Sequence, residues 1–245
     1  MERRNFIKQL GGASALAMVG GLTLPSFTDK QKRHITILHT NDTHSHIEPF
    51  KANHRRNANR GGIARRATLI EQIRKENQNT LLLDAGDIFQ GTPYFNYFEG
   101  ELEFKLMSIL KYDVATIGNH DFDNSIEGLF KQLPNAKFDF VSANYNFKNT
   151  ILDTHIKPYK IIIKDDIKIG IFGLGIELEG LVNKKMYKET VYLNPIEITQ
   201  DITSKLKDEE KCDLIICLSH LGYYYKNNPN KVSDLNLAKI TKNID

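Results

Sequence analysis

The chain has 245 residues, 40% of them hydrophobic and 26% charged, enough to bury a full core and ordinary for a soluble globular protein. Its formal net charge is +3; Arg3, Arg4 and Lys8 against Glu2 lie in residues 1–28, so 33 − 3 = 30 basic and 30 − 1 = 29 acidic residues remain beyond them. A balance near zero gives no overall electrostatic reason to expect nucleic acid or an anionic membrane as a partner.

Residues 1–28 read as an export signal of the twin-arginine type. Arg3-Arg4-Asn5-Phe6-Ile7-Lys8 precedes a weakly apolar run from Leu10 to Leu24. Gly11, Gly12, Ser14, Gly20 and Gly21 interrupt that run, so it makes a poor permanent span, and the mature protein is expected in the periplasm or otherwise exported without a stable membrane anchor. Residues 29–245 are then expected to form one domain.

In chain order, Ile35-Thr36-Ile37-Leu38 predicts a strand. Ile63, Ala67, Ile70 and Ile73 then recur along one helical face, and Leu81-Leu82-Leu83 predicts a buried strand. A helix is expected over 101–111, a strand over 114–117, a helix over 125–133 capped by Ser125, and a strand over 138–143. Residues 159–163 and 167–172 flank Asp165-Asp166 as an antiparallel hairpin. Pro195 opens a helix running to 207, a strand covers 214–218, and a last helix covers 234–241. Short apolar strands alternating with helices predict an α/β fold with largely parallel pairing. The two cysteines, Cys212 and Cys217, sit five positions apart on what reads as the strand 213–219. They are expected on opposite faces, roughly 16 Å apart at ~3.3 Å per residue, beyond disulfide reach.

In open α/β sheets, ligands gather at the carboxyl ends of the strands. There this chain places His39-Thr40-Asn41-Asp42-Thr43-His44, Asp84-Ala85-Gly86-Asp87, Gly118-Asn119-His120-Asp121-Phe122-Asp123 and Ser219-His220. Carboxylate, amide and imidazole donors without thiolate suit Zn, Mn, Fe or a similar divalent ion. Other polar residues read more plainly. His39 packs or hydrogen-bonds at its strand end; His34, His54 and His155 lie on the solvated surface. Asp84 satisfies local backbone donors. His46 is either a second-layer or a substrate contact, and Asn144 either a turn residue or a phosphate contact. Tyr223-Tyr224-Tyr225 read as an ordinary loop packing on the rim, with a substrate-facing aromatic patch as the alternative, and the basic stretch 51–60 as a solvated face, with attraction of phosphates as the alternative.

Asn41-Asp42-Thr43-His44, Gly86-Asp87, Gly118-Asn119-His120-Asp121 and Ser219-His220-Leu221-Gly222 resemble the successive motifs of the calcineurin-like metallophosphoesterases. Leu38–His44, Gly118–Asp123 and Ala143-Asn144-Tyr145 resemble the bacterial 5'-nucleotidases in particular. The resemblance implies a four-layer α/β/β/α sandwich of two mixed sheets flanked by helices, truncated at the C-terminus. It implies two divalent metal ions: Asp42 and His44 on the first, Asp87 bridging, Asn119 and His220 on the second. His120, held by Asp123, is implied as the catalytic histidine, and the implied reaction is attack on a phosphate monoester of a small-molecule nucleotide by a hydroxide shared between the metals. The same site could instead serve a cyclic nucleotide or a nucleotide sugar, or persist in an inactive metal- or nucleotide-binding module. The family's Gly-His-x-His motif and its substrate-binding C-terminal domain do not occur before Asp245, so the expectation is of a longer protein, with weak metal binding and slow turnover from these 245 residues alone.

Overall fold

The computed structural model describes residues 32–245, and the export reading of 1–28 lies outside them. His34–Asp245 forms one compact unit. Its elements run β1 (Thr36–Thr40), α1 (Ile63–Glu76), β2 (Thr80–Asp84), α2 (Pro93–Phe98), α3 (Glu101–Ile109), β3 (Val114–Ala115), α4 (Ser125–Gln132), β4 (Asp139–Phe140) and β5 (Tyr145–Asn146). They continue as β6 (Tyr159–Lys164), β7 (Ile167–Gly175), α5 (Lys184–Tyr187), β8 (Val191–Tyr192), α6 (Pro195–Ser204), β9 (Leu214–His220) and α7 (Asp234–Ile240).

One sheet has the order β1-β2-β3-β4 with every pairing parallel; the second, β6-β7-β9, mixes the antiparallel hairpin β6–β7 with a parallel β7–β9 pair. Asp165 and Asp166 take φ of 51° and 57°, the left-handed pair that matches a two-residue hairpin turn to strand twist. A two-residue pair, β5–β8, stands apart.

Alternation along the strands sorts the core into layers. In β2, Leu82 joins the cluster under α1, α3 and α4, whereas Leu81 and Leu83 point the other way and meet Ile169 and Ile171 of β7 between the sheets. On β7, Phe172 and Leu174 turn outward to Ile202 of α6 and Leu237 of α7. The stack is therefore helices, sheet, sheet, helices, the four-layer sandwich expected. All five residues of β2 are buried, which is why that strand reads as a continuous apolar run.

The cysteines depart from their expected placement. Cys212 precedes β9 and is held by its N–H to the Leu206 carbonyl (2.9 Å), next to Lys211 at φ 57°. It lies in the same helix-facing cluster as Cys217, and both are free thiols. Odd spacing separates faces only when both residues lie on the strand.

Candidate metal centre

The ladder between β1 and β2 continues beyond the strands. The N–H groups of Asp42, His44 and Ser45 donate to the carbonyls of Gly86, Asp87 and Ile88 at 2.9, 3.1 and 2.9 Å. Asp42, His44, Ser45 and Asp87 all take left-handed φ, 49°, 45°, 52° and 56°. Such conformations are costly outside glycine and persist where surrounding bonds enforce them. The result is a short double turn that aims the Asp42, His44 and Asp87 side chains at one point.

Asp87 stands at that point, 3% exposed. His220, the last residue of β9, brings its Nε2 to 3.2 Å from Asp87 Oδ2, and His44 Nε2 lies 3.7 Å from the same oxygen and 3.7 Å from Asp42 Oδ1. Donor atoms of Asp42, Asp87 and His220 lie within 4.8 Å of one another. The other imidazole nitrogens are occupied: His220 Nδ1 meets the Ala85 carbonyl at 2.7 Å and His44 Nδ1 the Phe89 carbonyl at 3.1 Å. Donation to a carbonyl through Nδ1 turns Nε2 toward the carboxylates, where it would offer its lone pair to a cation, the arrangement metal-bound histidines use. Hard oxygen donors with two oriented imidazoles fit a borderline divalent cation.

The loop after β3 closes the site. The His120 backbone N–H donates to Asp87 Oδ1 (2.8 Å), and the His120 Nδ1 meets Asp123 Oδ2 at 2.8 Å. The His120 ring stands edge-on to His44, centroids 5.2 Å apart. Asn119 is half-buried between Gly118 and His120, its side-chain amide engaged by no other group among the described residues. Of the residues expected at the site, Asp42, His44, Asp87 and His220 meet directly, and His120 with Asp123 adjoins them.

Charge follows geometry. Burial opposes ionisation of Asp87, but the hydrogen bond and charge of His220, with help from His120, outweigh it and hold the carboxyl below its usual range. Burial also works against a charged His220, yet the Asp87 contact prevails and lifts the imidazole to about 9. His120 is raised as well: burial opposes it, and the Asp123 hydrogen bond and the Asp87 charge overcome that.

Asp121, absent from the sequence reading as a site residue, ties the loops together. Its buried carboxylate accepts the N–H groups of Gly118 (2.8 Å), Asp87 (3.1 Å), Ile88 (2.9 Å) and Phe89 (3.1 Å). Burial, then the charge of Asp87, push it up to about 6. The close approach of these loops needs glycine. A Cβ on Gly118 would lie 2.2 Å from Asp87 Oδ1 and 2.5 Å from the Asp87 nitrogen; one on Gly86 would lie 2.6 Å from the Gly118 nitrogen. Gly118→Ala is therefore expected to displace Asp87 and weaken metal binding at least about tenfold, an outer-layer effect of usual size, with the circular-dichroism spectrum intact. Unchanged affinity in a metal titration would sink this account.

Asp84 satisfies local donors as expected: it accepts the Thr40 hydroxyl at 2.6 Å and the Gly86 N–H at 2.9 Å. Burial pushes its carboxyl from an ordinary 3.8 up to about 7, with those two hydrogen bonds opposing the rise. The folded protein thus holds a proton that the unfolded chain has lost across that window, so stability falls as pH rises through it. Asp84→Asn is expected to remove that slope from the metal-free protein, a gain on the order of a few kcal/mol above the window and little below it. Denaturant titrations at about pH 5, low in the window, and pH 8, above it, check this, with the larger gain expected at pH 8; equal shifts at both would rule it out.

The remaining polar residues sort cleanly. Asn144 is structural: its buried amide donates to the Gly175 carbonyl (2.8 Å) and accepts the Gly175 N–H (2.7 Å). His34 and His155 are exposed as expected, and exposed His54 also accepts the Asn57 N–H on Nδ1 at 3.0 Å; His39, expected to pack or hydrogen-bond at its strand end, is exposed instead. Tyr225 donates to the Leu221 carbonyl (2.5 Å), while Tyr223 and Tyr224 are exposed.

A snake venom 5'-nucleotidase from Naja atra is 38% identical over 219 residues, 86% of this chain and 39% of its own length. Protein UshA of Escherichia coli (strain K12) is 32% identical over 246 residues, 95% of this chain and 43% of its own. Among solved structures, a 5'-nucleotidase precursor from Thermus thermophilus superposes with a TM-score of 0.77 at 33% identity, covering 86% of this chain and 40% of that one. The chain spans about two fifths of the length of these relatives. The calcineurin-like phosphoesterase profile matches residues 35–243, and on that match, with its four strand-end loops meeting at Asp87, the chain belongs to the calcineurin-like phosphoesterase family.

Proposed function

We propose that this domain carries the catalytic site of an exported hydrolase acting on nucleoside 5'-monophosphates or related phosphate monoesters. The convergence of Asp42, Asp87 and His220 within 4.8 Å, from three separate strand ends, is the observation that carries the reading. Asp42 and His44 would hold one divalent cation, Asn119 and His220 a second, and Asp87 both. Bound there, two such cations supply Lewis-acid activation of water and neutralise charge on a phosphoryl group. Export rests on Arg3-Arg4 and the apolar run after it; no helix among the described residues is long and apolar enough to cross a membrane.

The chain's own groups do the rest. Asp123 fixes the His120 ring through Nδ1 and favours its charged form, leaving Nε2 to donate a hydrogen bond to a phosphoryl oxygen and a proton to the departing alkoxide. Asp87 takes the His120 backbone N–H, so that ring stays in register with the carboxylate that would hold the cations. A hydrolysis panel of AMP, a cyclic nucleotide and a nucleotide sugar, with Mn or Zn supplied, tests the reading. Preferential release of phosphate from AMP supports it, and preference for either alternative reassigns the substrate. Tight nucleotide binding with no hydrolysis would point to an inactive binding module.

A further inference from the structure

Six lysines among the described residues hold an acidic partner: Lys75 with Glu71 (2.8 Å), Lys131 with Glu99 (2.9 Å), Lys160 with Asp139 (2.8 Å), Lys168 with Glu210 (3.4 Å), and Lys105 and Lys188 with Glu101 and Glu127. The segment following the first metal-facing turn is rich in basic residues. Between positions 47 and 66 it carries Lys51, Arg55, Arg56, Arg60, Arg65 and Arg66 against a single acid, Glu48. Among the described residues Lys51, Arg55, Arg56 and Arg60 are exposed and form no ion pair. This twenty-residue stretch thus carries a formal excess of 6 − 1 = 5 positive charges in an otherwise almost neutral chain.

That place is built and adjoins the metal-facing side chains. Phe50 pairs with the far side of the loop through both backbone groups, its N–H to the Arg60 carbonyl and its carbonyl to the Asn59 N–H, each at 2.9 Å. The loop base is closed by the Ile63 N–H to the Ile47 carbonyl (2.9 Å), and His54 caps the tip. A ladder of rings joins tip to centre: His46 Nδ1 meets the His44 carbonyl at 3.3 Å, the His46 ring lies 4.6 Å from Phe50, and Phe50 lies 4.6 Å from His54. Between ladder and centre opens a cavity of about 480 Å³ whose lining includes Asp42, His44, His46, Glu48, Phe50 and Arg66. Cations carried by a loop of fixed backbone beside an anion-handling site raise the local concentration of multiply charged ligands more than of singly charged ones.

We infer that the 47–62 loop is a cationic arm that takes the phosphates of a nucleoside di- or triphosphate other than the one under attack, with Arg66 and His46 lining the path between. This inference deepens, and rests on, the hydrolytic reading above. It makes Arg55 and Arg56 specificity-determining residues, selecting for phosphate number and not for base.

The test compares the unsubstituted protein with R55A/R56A, both supplied with Mn. Calorimetric binding of inorganic tripolyphosphate, which needs no turnover, is expected to weaken about tenfold in the double variant. The loss should fade as ionic strength rises to about 0.3 M, where screening shortens to below ~8 Å. In parallel, KM for ADP should rise about tenfold, with kcat and the KM for AMP within about twofold. Unaltered tripolyphosphate affinity overturns the proposal. So does a loss confined to a single-stranded oligonucleotide or to phosphatidylserine vesicles, which would reassign the loop to a macromolecular polyanion. If no substrate is hydrolysed by either protein but tripolyphosphate still follows the two arginines, the hydrolytic reading falls and the anion arm stands. Because both side chains are exposed, and the loop is held by backbone bonds and by His54, a folding defect is not expected; R55K/R56K should restore most of the affinity.

Discussion

Replacement of His120 by asparagine is expected to lower kcat for AMP by about 10²–10⁴-fold while bound metal per chain stays at the unsubstituted level. The magnitude is what a positioned proton donor typically contributes. The split between turnover and metal content follows from geometry. The His120 ring is committed through Nδ1 to Asp123, and only its backbone N–H touches Asp87. Asparagine keeps that N–H and removes the proton that the imidazolium would hand over. Metal analysis by mass spectrometry beside phosphate-release kinetics separates the two effects. Metal lost in step with activity would make His120 a ligand and overturn the assignment.

Asp87→Asn is expected to act at the other level, lowering metal affinity by several orders of magnitude and activity with it. The buried carboxylate receives the Nε2 atoms of His220 and His44 and the N–H of His120. An amide has the same shape, yet it carries no charge and offers a donor where two imidazoles also need an acceptor or a cation. Leaving buried charged partners uncompensated costs about 3–5 kcal/mol in comparable settings. Isothermal titration with Mn or Zn measures the loss directly. Near-normal affinity in the variant would show that Asp87 organises the loops without holding the ions.

Much of this was legible in the residues. The apolar triplet Leu81-Leu82-Leu83, the hairpin around Asp165-Asp166 and the four polar strand ends each follow from a local rule, and the structure places them accordingly. What escaped the sequence has a common character. Asp121 works by accepting four backbone N–H groups from two loops, a role that leaves no spacing to read because its partners contribute no side chain. The β5–β8 pair is two residues long on each strand, too short for any period to show. The cysteines were misplaced because a left-handed residue, Lys211, ends the preceding turn just ahead of Cys212 and moves it off the strand. Strand ends of 114–117 and 138–143 shrink to Val114–Ala115 and Asp139–Phe140 because the chain bends early to deliver its loops. The basic stretch 51–60 was readable as charge, but its neighbours in space were not.

The hydrogen bonds that carry the β1–β2 ladder past Thr40 and Asp84 bear on how ions are chosen. Because backbone bonds already fix where Asp42, His44 and Asp87 point, the entropy of gathering donors is met when the polypeptide folds and not again when a cation arrives. A socket of that kind has little room to reshape itself around ions of different size. Which element fills it is then governed by donor softness and by the supply in the compartment where folding is completed.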